Sequence, residues 1–321
     1  MRWPDFSNWR NSLRMGRSAG SQTSPTWTEM GLRELLIGAA AMIDPRRSTR
    51  ALRAARTGNV SELGALLESE PRLVHARASG NTTLEWLTQP GFAPPDPAMV
   101  DLLIKAGSEV DRALNLAGCW NLPEMCRQLL AAGADPSARA DAGITPLESA
   151  AMHSSKEAAD VLVDHGLHRP SLWLAAAAGQ LEAVRDWVSP DLTLRRDPGP
   201  YRPNWADVGR PAGEPASADD LEIIGEALVF AALNDRRSVV DYLLQIGIDV
   251  DSRPYRNTTA LHFAVQFHRP EMVRNLLDRT ADVSIRDDLF GADAKGWAEA
   301  CRDGSPASGE ILRMLEGASA H

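Results

Sequence analysis

The feature that most constrains this chain is a recurrence at about 33 residues. Thr259-Ala260-Leu261-His262-Phe263-Ala264 is followed by Glu271-Met272-Val273-Arg274-Asn275-Leu276-Leu277 and then by Ala281-Asp282-Val283. A second copy opens at Gly143-Ile144-Thr145-Pro146-Leu147, continues with Ala150-Ala151 and closes with Val161-Leu162-Val163 and Gly166. Taking the leucine after Thr-Pro as anchor brings Ala51, Leu84, Leu114, Leu147, Leu172, Leu228, Leu261 and Lys295 into register. The intervals are 33, 30, 33, 25, 56, 33 and 34 residues. A unit this short cannot bury its own apolar face, so consecutive units must stack, and stability becomes a sum over neighbours. The length of 321 residues, which alone suggests two domains, reads here as an array.

Each unit has a physical logic. Thr145 offers an N-cap hydroxyl and Pro146 fills the first helical position, where a missing N–H costs nothing. Small residues follow at Ala54-Ala55, Ala150-Ala151, Ala175-Ala176 and Ala231-Ala232, where only a methyl group lets neighbouring helices approach. A second helix carries the bulky core, as in Met99-Val100 with Leu102-Leu103-Ile104, Leu129-Leu130, and Val239-Val240 with Leu243-Leu244. Gly107, Gly133, Gly166 and Gly247 then sit where a left-handed helix C-cap favours a residue without a side chain.

These motifs resemble the ankyrin repeat. The resemblance covers about residues 48–318 and implies an all-α ankyrin-repeat solenoid of seven to eight helix-turn-helix units with short hairpin loops. It also implies that His262 makes a structural hydrogen bond between units and that the hairpin tips and first-helix ends line a concave groove. Residues 1–27 read as a basic, flexible N-terminal arm. Residues 28–47 read as an N-terminal capping helix, with Leu32, Leu35, Leu36, Ala39, Met42 and Ile43 on one face and Asp44-Pro45 as its stop.

Function is sought where the repeat is irregular. The 56-residue interval contains a 23-residue surplus, placed in a loop at 189–220 that holds Arg196, Tyr201, Trp205 and Asp207. Loops inserted in repeats map to one face, often the binding face. The variable positions of the register hold Trp120, His153, Tyr255, Arg256, Gln266, Phe267 and Phe290. With the four loop residues these form the expected binding groove, since aromatic and arginine side chains are favoured interface anchors. A second insertion, Gln89 to Pro97, reads as a stiff external turn.

The chain is expected to bind another protein through the groove and the 189–220 insertion. The alternative is a small-molecule-binding enzyme of acid/base type, a cyclase, isomerase or hydrolase using the same groove. No catalytic residue, cofactor or metal ligand is assigned, because phosphate-loop, dinucleotide and nucleophile-elbow motifs are absent and the histidine and cysteine spacings suit no metal. Charge argues against nucleic acid: the net charge is −9, with +6 on residues 1–56 and −15 on the rest. No apolar run approaches the roughly 20 residues of a membrane helix. Three cysteines form no disulfide framework, which fits a reducing cytoplasm, and the presence of only three lysines against many arginines fits a GC-rich bacterial source.

Overall fold

In the computed structural model, the described residues are 45–78, 80–89, 95–140, 143–166, 171–197, 203 and 219–318. They form sixteen helices and one two-stranded ribbon. Residues 28–44 of the expected capping segment (28–47), the tip of the second insertion (90–94) and most of the 189–220 loop lie outside them, while residues 45–47 belong to the helix Pro45–Arg56. The chain divides into two compact units, whose described parts are residues 45–166 and 171–318.

The first unit contains four helix pairs. They are α1 (Pro45–Arg56) with α2 (Val60–Ser69), α3 (Thr83–Trp86) with α4 (Pro97–Lys105), α5 (Asp111–Cys119) with α6 (Pro123–Ala131), and α7 (Pro146–Met152) with α8 (Lys156–Asp164). A 3₁₀ turn (Pro71–His75) and an antiparallel ribbon, β1 (Arg77–Ala78) with β2 (Asn81–Thr82), join the first two pairs. First helices pack on first helices, α1 on α3, α3 on α5 and α5 on α7, and second on second, α2 on α4, α4 on α6 and α6 on α8.

The second unit repeats the scheme with α9 (Leu172–Ala177) and α10 (Leu181–Trp187), α11 (Asp220–Leu233) and α12 (Arg237–Gln245), α13 (Ala260–Gln266) and α14 (Pro270–Leu277), and α15 (Ala294–Ala300) and α16 (Pro306–Ala318). Every anchor residue of the sequence register falls in the first helix of a pair. Helix α11, at 14 residues, is twice the length of α13; it starts two turns ahead of its anchor, straight from the end of the insertion.

One local motif explains why the pairs recur. At the end of the first helix the chain crosses through a left-handed residue, and the following N–H reaches back five residues to an alanine carbonyl. The left-handed residues are Gly58, Asn121, Ser154, Gly179, Asp235 and His268. The acceptors are Ala54, Ala117, Ala150, Ala175, Ala231 and Ala264, and each of these alanines is fully buried. The bond closes the helix and the methyl group permits the tight helix contact, so one residue type serves both needs. Second helices end the same way: Ser108, Ala134, Ile248 and Ala281 donate to the carbonyls of the buried Leu103, Leu129, Leu243 and Leu276.

Starts are equally regular. Thr82 with Glu85 and Thr145 with Glu148 form capping boxes, the threonine N–H donating to the glutamate at 2.8 and 2.7 Å. The Glu85 carboxylate is wholly buried and also accepts from Arg112 of α5 at 2.6 Å, which ties two pairs together. Where α5 meets α7, Gly118 replaces the usual alanine, because a Cβ there would stand 2.8 Å from the Pro146 carbonyl oxygen.

Candidate functional site

The register positions expected to line a groove fall in both units. In the first unit Trp120 and His153 are the C-cap residues of α5 and α7, 33 residues apart, and both are half-buried. The His153 Nδ1 lies 2.8 Å from the Ser149 carbonyl, so that nitrogen is the donor and the ring is turned onto its own helix. The crossings beside them are cross-linked. Ser155 donates to the Cys119 carbonyl at 2.9 Å, and Asn121 accepts from the Ala158 N–H at 3.0 Å.

In the second unit the hairpin tips dominate. Tyr255 and Thr258 close a two-residue turn whose central residues, Arg256 and Asn257, have φ of 46° and 58°. This is the left-handed pair of a type I′ hairpin, and arginine occupies it without the usual glycine. Tyr255 is buried beneath the turn rather than displayed. Asn257 Nδ2 donates to the Arg286 carbonyl at 2.8 Å, and the Asp288 N–H donates to the Arg256 carbonyl at 2.8 Å, so this tip is locked to the next.

That next tip is organised by a residue the sequence did not single out. Asp287, 2% exposed, accepts four hydrogen bonds: Leu289 N–H at 2.6 Å and Phe290 N–H at 2.7 Å on Oδ1, Ala292 N–H at 3.0 Å and the Trp297 indole Nε1–H at 2.8 Å on Oδ2. Trp297 is buried, with ring centroids of His262, Phe263 and Phe290 at 5.2, 5.9 and 5.6 Å in edge-on geometry. Phe290 has one edge on this cluster and is nonetheless 47% exposed. Gln266 and Phe267, at the end of α13, are half-buried. The signal in the sequence was an aspartate followed by turn residues and then a tryptophan, Asp287-Asp288-Leu289-Phe290-Gly291 through Trp297.

His262 stands in the place of the capping-box glutamate. Its Nδ1 accepts the Thr259 N–H at 3.2 Å and lies 2.9 Å from the Thr259 hydroxyl, a contact within its own pair, while the backbone of Ala292 and Ile285 faces the ring from the next pair. The proton must then reside on Nε2, which is buried. Burial holds the imidazole below its ordinary pKa; the Asp287 carboxylate and the carbonyls of Ala292 and Ile285 in the next pair oppose this in part.

Arg196 lies against α10. Its guanidinium stacks 4.6 Å from the Trp187 ring centroid and donates to the Asp186 carbonyl at 3.2 Å. The insertion leaves and rejoins the stack at a clamp: Val188 bridges Leu194, and the Leu194 N–H donates to the Asp220 carboxylate at 2.8 Å. Tyr201, Trp205 and Asp207 lie outside the described residues. At the matching end of α11, Leu233 and Asn234 are buried, Asn234 donating to the Phe230 carbonyl at 2.9 Å. What the structure brings together is Arg256 and the Phe290 tip, with Phe267 on the same helix as His262 and Phe263.

Among the described residues no three His, Cys, Asp or Glu side chains are grouped to hold a metal ion, and no helix is long and apolar enough to cross a membrane. The three cysteines are free thiols, and burial pushes Cys126 up to about 12.

Residues 214–287 match the family described as "Ankyrin repeats (3 copies)". The chain is 25% identical over 262 residues to the E3 ubiquitin-protein ligase KEG of Arabidopsis thaliana. That alignment covers 69% of this chain and 15% of that protein, so the chain spans a small part of its relative. Among solved structures it is similar to the human ASB11 ankyrin repeat domain, at 18% identity and a TM-score of 0.39, covering 82% of this chain and 96% of that one.

Proposed function

Because the chain carries ankyrin repeats, which generally serve as protein-interaction modules, we propose that it binds a partner protein through the hairpin tips and first-helix ends of its second unit. The observation that carries this reading is Phe290. Large apolar side chains exposed among the described residues are Leu221 and Phe290, and Phe290 alone sits on a loop fixed by four hydrogen bonds to one carboxylate. An aromatic held rigid before binding loses little conformational entropy on contact, which is what an interface anchor requires. The backbone of Arg256 is locked to the same loop, so the two tips are held together. The insertion enters this reading as the specificity element, supported by the clamp that fixes its two ends beside α10 and α11.

The test is affinity capture with the full chain, the F290A variant and a variant lacking residues 198–218, followed by calorimetry on purified pairs. A partner that binds the full chain and loses affinity by about tenfold or more on F290A supports the reading. A purified partner that binds F290A and the full chain equally well removes Phe290 as the anchor. Equal binding by the deletion variant removes the insertion.

A further inference from the structure

We propose that the Phe290 tip receives a cationic side chain, an arginine in preference to a lysine, from a basic segment of the partner. This rests on the reading that Phe290 anchors a partner, and it names the chemistry the partner brings. The tip spends its donors on itself. The N–H groups of Leu289, Phe290 and Ala292 go to the Asp287 carboxylate, that of Gly291 to the Asp287 carbonyl at 3.1 Å, and that of Asp288 to the Arg256 carbonyl at 2.8 Å. Its acceptors are left over. Among the described residues no hydrogen bond reaches the carbonyls of Asp288, Leu289 or Phe290, and the exposed Asp288 carboxylate makes no ion pair or hydrogen bond. Three successive carbonyls, a carboxylate and the exposed Phe290 ring all favour positive charge. No backbone N–H of the loop remains for an anion.

The charge around the tip points the same way. Residues 249–258 and 282–293, which hold the two linked tips, carry six aspartates and three arginines, a net charge of −3. Arg286 is tied to the Gly291 carbonyl at 2.7 Å, and Arg253 faces Asp251 and Asp282, whose charges offset its own. Residues 219–318 as a whole hold 11 basic and 18 acidic groups, net −7. A basic segment is therefore attracted to this unit and an acidic one repelled. Between the two cations arginine fits better. Its planar guanidinium stacks on an aromatic ring while its donors serve several carbonyls, whereas an ammonium is a compact point charge.

The experiment follows amide shifts of the ¹⁵N-labelled full chain as a short peptide is added, otherwise neutral and carrying arginine, lysine, citrulline or glutamate at its centre. Saturable shifts at residues 288–292 are expected with arginine, weaker by about threefold with lysine, and absent with citrulline, which keeps the shape and loses the charge. F290L keeps the apolar bulk and removes the ring, and D288N removes the carboxylate while leaving every ring contact; each should weaken the arginine peptide by about threefold. Thermal unfolding shows that the variants are folded, and D288N carries the test if F290L is not. A purified partner that loses F290A but binds F290L as well as the full chain overturns this inference and leaves Phe290 as an apolar anchor. Citrulline or glutamate peptides that shift residues 288–292 as strongly as arginine, or arginine shifts that miss these residues, also overturn it.

Discussion

Replacing Asp287 by alanine removes one carboxylate and leaves four donors without their acceptor. Three are backbone N–H groups of a half-exposed loop, at Leu289, Phe290 and Ala292, and water can reach them once the loop opens. The fourth is the Trp297 indole, 2.8 Å from Oδ2 and buried. A hydrogen bond to a charged group contributes about 1.5–3 kcal/mol, so the undiscounted sum over four is about 6–12 kcal/mol; re-solvation of the loop amides reduces this to about 3 kcal/mol, most of it from the stranded indole. For a unit of about 150 residues that corresponds to a fall in Tm of about 6–12 °C. Asp287→Asn keeps the shape and one acceptor oxygen, and should cost about half as much. The assay is thermal unfolding followed by Trp fluorescence, with hydrogen exchange over residues 286–292 to separate loop opening from unfolding of the unit. If Asp287→Ala moved Tm by less than 2 °C and left exchange at Phe290 and Ala292 unchanged, the carboxylate would not be the organising group and the rigid-anchor argument would fall with it.

Other outcomes follow from single contacts. Gly118→Ala sets a methyl group 2.8 Å from the Pro146 carbonyl oxygen and should destabilise the first unit by about 1–3 kcal/mol, while Gly64→Ala, whose Cβ would meet only Leu102 at 3.9 Å, should stabilise it by about 0.5–1 kcal/mol in urea titrations. Burial lowers the His262 pKa in the folded state, so the unfolded chain binds the proton more readily below the ordinary value of 6.5. This contribution to stability is complete above pH 6.5 and falls as the pH drops toward the folded value; Tm of the second unit measured from pH 7.5 to 5 should decline, and His262→Gln should flatten that slope while lowering the plateau. Cys126, at about 12, is about one ten-thousandth thiolate at pH 8 and should resist a thiol reagent until the first unit unfolds.

The stack was legible because its determinants are local and repeated. The alanine at the first-helix end, the glycine after the second helix and the Thr-Pro start are each read within five residues, and the structure uses them as the spacing predicts. The Asp287 loop was not legible in the same way, since its meaning depends on an indole ten residues away and on aromatic rings from the preceding pair. The length of α11 escaped for a related reason: its extra two turns lie outside the repeat, so periodicity assigns them to no element. His262 shows a third case: the register gave its place, while the contact with Thr259 within its own pair needed the fold, because a histidine Nδ1 can replace a capping carboxylate. Exposure separates the expected groove positions, and the register alone does not give it. Tyr255 turns inward, and Phe290 turns out.

If a preorganised Phe290 tip, with Arg256 and Phe267, anchors a partner, hydrogen exchange of the full chain with a purified partner shows new protection, relative to the chain alone, at residues 255–258, 266–268 and 288–292. Protection confined to the second helices α10, α12, α14 and α16, with these segments exchanging as in the free chain, would contradict it.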